Sequence, residues 1–261
     1  MKSEKKAAPA KASSNGLSLE LLIEGAQKAF DNAEALFGEA QLLAAHGATA
    51  RALCLHQISI EECSKVEYLG AWAMSQLLDK EGDRAQIGKA FRSHAAKNKL
   101  NAFMLEASAE EISARERGDW DASSAAFKKT QDAFHQKSNR NKNDALYVDW
   151  TGAAFVAPAE AITEEMVADI TKLNAKFLGH AALGMRMFAR VQGSSSVLKP
   201  LLTELVRDLE KIRDKRPADL ADAIDGAVGA FIRSGAEQLG EDKAGPARGR
   251  DRQPISPGDS R

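Results

Sequence analysis

From Leu17 onward, apolar residues recur every three or four positions along most of the chain, whereas period-two runs of β-branched residues bounded by turn residues are nearly absent. This periodicity predicts an all-α fold. A first helix is expected over 17–46, with Leu22, Ala26, Ala29, Ala33, Leu36, Ala40 and Leu43 on one stripe and Gly47 where a glycine would end it. A second should run from Thr49 to Leu78. The turn residues of LDKEGDRAQ then separate it from a third helix over 84–117. Gly118, Asp119 and Asp121 break the pattern before a fourth, opened by Ser123 or Ser124 and reaching Ala145. The segment LYVDWTGAAFVAP (146–158) gathers β-branched, aromatic and glycine residues and should be irregular. After it, Thr163 with Glu164 and Glu165 can cap a helix running to Val191. Gly193 and three serines read as a linker to two shorter helices, 198–214 and 217–237.

These patterns divide the chain of 261 residues into a tail (1–16), a helical domain (17–192), a C-terminal helical extension (193–238) and a second tail (239–261). Both tails are polar and rich in small or charged residues, compositions that bury too little apolar area to fold and are expected to be disordered. With 36 basic against 37 acidic residues, bulk attraction to nucleic acid or an anionic membrane is excluded, so any phosphate binding must come from a local patch. No uninterrupted apolar stretch reaches a membrane-spanning length, and the N-terminus lacks the apolar core of a secretory signal. A soluble, cytoplasmic protein is expected. Cys54 and Cys63 stand nine apart, on opposite sides of a helix and without a second Cys or His set, and read as core residues in a reducing compartment.

Charge is concentrated where burial is expected. In SIEECSKVEYLGAW, Glu61 and Glu62 lie four and three residues before Lys65, so either could form an intrahelical ion pair. Yet Cys54, Ile58, Tyr68 and Trp72 share the stripe of Glu61, and Leu55, Val66 and Leu69 that of Glu62. At least one carboxylate must therefore face protein and need a partner there. In FRSHAAKNK, His94 and Lys97 share a face. HQKSNRNKNDALYVDW carries His135, Lys137, Arg140 and Lys142, a basic run in a neutral chain, with Tyr147 seven residues after Arg140 and Asp149 beside the irregular segment. Each of these runs, taken alone, reads equally as a solvated polar face.

The order EECSK, then HAAK, then NDALYVDW resembles the AbiV abortive-infection proteins, bacterial factors that halt phage multiplication, over about residues 19–190. AbiV proteins are in turn similar to the HEPN class of helical bundles, which often dimerise and often act as metal-independent ribonucleases. The resemblance implies a HEPN-like bundle with additional C-terminal helices. The usual HEPN signature is an arginine followed by about four to six residues and a histidine; here six residues separate Arg140 from Tyr147, which stands in the histidine's place. On the ribonuclease reading, His94 exchanges the proton of a 2′-hydroxyl, Arg140 with Lys97 or Lys142 stabilises phosphate charge, Tyr147 orients a phosphate or donates a proton, and Asp149 or Glu62 holds a base or an arginine. Lys137, Arg140 and Lys142 would bind RNA. The scheme calls for no cofactor and no metal. The expected partners are a second copy of the chain, RNA and a phage-encoded activator. The alternative is a non-catalytic protein that binds a phage or host partner.

Overall fold

A computed structural model describes residues 17–78 and 84–212, with a few positions between 226 and 234. Helix α1 (Leu19–Ala45) opens where the Ser18 hydroxyl accepts from the Leu21 N–H at 3.2 Å. It closes before Gly47, whose φ of +75° is a conformation that only glycine adopts without strain. Helix α2 (Thr49–Leu77) returns antiparallel along it: the Ser59 hydroxyl donates to the Ala33 carbonyl at 2.7 Å, and a Cβ on Gly25 would stand 3.3 Å from Leu69. The buried face of α1 is Leu22, Ala26, Ala29, Ala33 and Ala40, the small side chains that permit this close approach. The expected stripe is thus correct, except that Leu36 and Leu43 are only half-buried at its edge.

Helix α2 is the centre of the molecule. Sixteen of its residues are buried, among them His56, Gln57, Ser59, Glu61, Glu62 and Ser64. It is covered by α1, by the long α8 (Glu164–Ile212), and on its remaining side by α4 (His94–Asn101) and α6 (Trp120–Asp144). Val167, Ile170, Phe177, Ala181 and Phe188 of α8 join the main core, while Leu77 and Leu202 form a smaller one near the C-terminal end of α2. A two-stranded antiparallel hairpin, β1 (Asp149–Trp150) and β2 (Phe155–Val156), occupies the segment expected to be irregular, and the short α7 (Pro158–Ala161) links it to α8.

Three expectations are corrected. The fourth helix opens not at Ser123 or Ser124 but at Trp120, where the Asp119 carboxylate accepts from Ala122 N at 3.0 Å. The predicted third helix is three: α3 (Arg84–Arg92), α4, and, after a 3₁₀ turn at Ala102–Met104, α5 (Ala109–Glu116). Serines make the breaks, Ser93 Oγ accepting from Ala96 N at 3.1 Å and Ser108 Oγ from Glu111 N at 3.2 Å, so each starts a new helix. In the other direction, the linker expected at Gly193 does not exist: α8 continues through it and past Pro200 to Ile212. Gly and Ser cost a helix only fractions of a kcal/mol each, about 1 at most, and a helix already nucleated gains a bond with each residue it adds. The terminal tails and most of the helix expected at 217–237 lie outside the described residues. Among those described, no helix is long and apolar enough to cross a membrane.

Candidate functional site

Helix α4 is fixed against α2 by a side chain and a backbone group: Asn101 Nδ2 donates to the Ile60 carbonyl at 2.9 Å. Gln131 Nε2 of α6 donates to the Lys99 carbonyl at 3.0 Å, and Arg51 Nη1 caps the C-terminal end of α6 through the Ala145 carbonyl at 3.1 Å. These ties bring one side chain from each helix to a common point. That point is Glu61, only 1% exposed. Its Oε2 receives His94 Nδ1 at 2.5 Å and Lys97 Nζ at 2.8 Å, and its Oε1 receives Lys142 Nζ at 2.9 Å.

Both lysines are buried, whereas the His94 side chain is 57% exposed. A carboxylate taken out of water this far would ordinarily hold its proton. Burial does push Glu61 upward, but the hydrogen bonds from Lys97, Lys142 and His94 outweigh it and hold the carboxyl below its usual range. Glu61 is therefore an anion, and one carboxylate against two ammonium groups leaves the cluster with one net positive charge. The 2.5 Å separation from Oε2 requires a proton on His94 Nδ1. Lys142 Nζ, 3.2 Å from the same nitrogen, is then a neighbour whose hydrogen bond goes to Glu61. With Nδ1 committed, Nε2 is the ring nitrogen left to exchange a proton, and in the neutral ring it carries the lone pair. The arrangement can take a proton at His94 and stabilise negative charge next to it.

Of the residues singled out from sequence, His94, Lys97 and Lys142 are thus brought together, and the carboxylate that holds them is Glu61 rather than Glu62. Glu62 instead pairs with Lys65 on its own helix at 2.5 Å, and that ammonium also stands 5.3 Å from the centre of the Phe91 ring. Arg140 does not join the cluster. It precedes Lys142 by two residues, about 200° around α6, so when Lys142 points inward Arg140 faces solvent. There it lines an open groove of about 700 Å³ with His135, Tyr147 and Asp149. Arg140 and Tyr147 share this groove, but not as neighbours on one helix, since α6 ends at Asp144 between them. Lys137 lies on a third side of α6, beside a cavity of about 190 Å³ floored by Gln57. Among the described residues no three His, Cys, Asp or Glu side chains converge in a way that could hold a metal ion.

A second polar knot sits across α2. His56, fully buried, receives Asn174 Nδ2 at its Nδ1 (3.1 Å) and reaches Thr171 Oγ1 with Nε2 (2.9 Å). Thr171 already donates to the Val167 carbonyl, so its oxygen accepts from His56 and fixes the neutral Nε2–H form. Burial lowers this imidazole to about 4. Neither His56 nor Asn174 stood out in the sequence, and nothing in the spacing of residues more than a hundred apart could have paired them. Cys54 and Cys63 are buried free thiols, and burial pushes Cys63 up to about 12, away from reactivity.

A family model described as AbiV, of the HEPN group, matches residues 21–179. An uncharacterized protein, y4gJ, of Sinorhizobium fredii (strain NBRC 101917 / NGR234) is 46% identical over 110 residues, which make up 42% of this chain and 57% of that protein. The chain thus spans little more than half the length of that relative. No solved structure matches it. The matched span runs from the first turn of α1 to about a third of the way along α8 and takes in Glu61, His94, Lys97 and Lys142, and the chain belongs to the AbiV family.

Proposed function

We propose that this protein is an abortive-infection factor that stops phage multiplication by cleaving RNA, so that translation fails, after meeting a phage-encoded activator. The observation that carries the reading is the dyad of buried Glu61 and exposed His94 beside two ammonium groups. In the reaction, His94 Nε2 takes the proton of a 2′-hydroxyl, the freed oxygen bonds to the adjacent phosphorus, and the bond to the 5′-oxygen breaks. The products are a cyclic phosphate and a 5′-hydroxyl end. Glu61 is a positioning residue: it fixes the ring and stabilises the imidazolium that forms. Lys97 and Lys142 supply positive potential as charge accumulates on the phosphate oxygens. Arg140 and Lys137, both exposed on α6, are the phosphate contacts that hold the strand; Tyr147 orients a phosphate in the groove, and Asp149 steadies Arg140. No step uses a metal ion.

One observation favours the alternative, a protein that acts by binding a partner. Tyr147, Val148, Trp150 and Phe155 place four large apolar side chains on the surface within nine residues, between 53% and 74% exposed. The deciding experiment mixes purified full-length protein with total RNA, a chelator and phage lysate. Cleavage giving cyclic phosphate ends, lost in His94→Ala and weakened in Arg140→Ala, is the expected result. Phage protection that persists in His94→Ala, with no cleavage by either protein, would transfer the function to the binding reading.

A further inference from the structure

His94 accounts for only one of the two protons that transphosphorylation moves. The 5′-oxygen must also be protonated as it leaves, from the side of the phosphorus opposite the attacking oxygen. The seam between α4 and α6 carries a second imidazole in the appropriate place. His94 and Asn98 lie four residues apart on α4, about 6 Å along its axis. His94 meets Lys142 of α6, and Asn98 Nδ2 meets His135 Nδ1, at a long 3.4 Å. His135 and Lys142 are seven apart, hence on one stripe of α6. The two histidines thus occupy successive layers of the same antiparallel seam. Four residues on α4 and seven on α6 are about 6 and 10 Å of helix axis, a range that a phosphate with its two ester oxygens and a hydrogen bond at each end can cover. Both are open to solvent, His94 directly and His135 from the groove that also holds Arg140 and Tyr147.

We infer that His135 is the general acid of the reaction in which His94 is the base. In the step, His94 Nε2 accepts the 2′-hydroxyl proton, the bond between the 2′-oxygen and phosphorus forms as that between phosphorus and the 5′-oxygen breaks, and His135 passes the proton on its Nε2 to the 5′-oxygen. The cycle ends with His94 protonated and His135 neutral, and exchange with water resets both. Asn98 suits the role of holding His135. It is 1% exposed, its Oδ1 has no hydrogen-bond partner, and its Nδ2 faces His135. In one orientation the amide donates to the neutral ring; turned over, its oxygen accepts from Nδ1–H of the imidazolium, so one side chain can serve both protonation states.

The inference rests on the ribonuclease reading, and the test separates the two. Two substrates are compared: an RNA with an ordinary 5′-oxygen leaving group, and a uridine 3′-phosphate ester of 4-nitrophenol, whose leaving group needs no proton. His135→Ala and His135→Gln should lose about 10²–10⁴-fold on RNA but less than about tenfold on the ester, whereas His94→Ala should lose heavily on both. Equal losses on both substrates in the His135 variants, or no loss on RNA, would overturn the inference and leave the ribonuclease reading standing. With phage lysate present, failure of the unaltered protein to cleave either substrate would overturn both.

Discussion

Glu61 is anionic because three donors converge on it, and they converge because it is buried. Glu61→Gln keeps the shape but leaves two buried ammonium groups without their counter-charge, and it should cost about 3–5 kcal/mol. Glu62→Gln breaks a single pair, with Lys65 on its own helix, and should cost less than Glu61→Gln because one ammonium rather than two loses its counter-charge. Urea unfolding of the two variants makes the comparison, and equal losses would count against Glu61 as the organising charge. The sequence carried both glutamates at apolar stripes and could not choose between them, because the deciding partner, Lys142, is eighty-one residues away. His56 sets the pH response. Its folded value of about 4 lies below the roughly 6.5 of an unfolded histidine, so between these values the unfolded chain binds more protons. Its contribution to stability is therefore complete above about pH 6.5 and falls by on the order of 3 kcal/mol as pH drops towards 4. The depressed Glu61 adds a loss in the same direction below the usual carboxylate range. Unfolding measured from pH 4 to 7 should show this slope, and His56→Gln, less stable at pH 7, should flatten it; an unchanged slope would assign the protons elsewhere.

At the scale of elements, the break at Ser93 determines where His94 stands. Replacing Ser93 by Ala removes the cap bond to Ala96 N, which should cost about 1 kcal/mol, and it favours fusing α3 to α4 across Arg92 and His94. Ser108→Ala removes an equivalent cap from α5 at a similar cost but away from the cluster. RNA cleavage should therefore fall further in Ser93→Ala than in Ser108→Ala at matched stability, and parity between them would mean that the break does not position the imidazole. The limits of α1, α2 and α6 were legible to within a few residues, since Gly47 and Gly118, with φ of +75° and +70°, interrupt patterns that are otherwise unbroken. The breaks inside 84–117 were not, because a serine cap leaves helical periodicity running on both sides. The continuation of α8 was hidden for the opposite reason: its glycine and serines look like a linker, and only the packing of Leu202 against Leu77 shows why the helix is worth extending.

At the scale of the whole molecule, the alanine stripe of α1, which would permit close helix approach, is covered by α2 within one chain and offers no surface to the expected second copy. The expectation now rests on family resemblance alone. Sedimentation at micromolar concentration tests it directly, a 28.1 kDa species being the outcome that would end it. The geometry makes a further demand on any dimer. Glu61, His94, Lys97, Lys142 and His135 all come from one chain, so each subunit holds a complete cluster. If unaltered protein and His94→Ala are mixed equally and allowed to exchange subunits, random pairing makes about half the dimers mixed. With independent clusters each mixed dimer keeps one working site, and cleavage per total protein should settle at about half that of the unaltered protein. A single site that needs both copies of His94 would instead work only in the unaltered homodimer, about a quarter of the population, and a fall to that level would show that the cluster seen within one chain is not sufficient for the reaction.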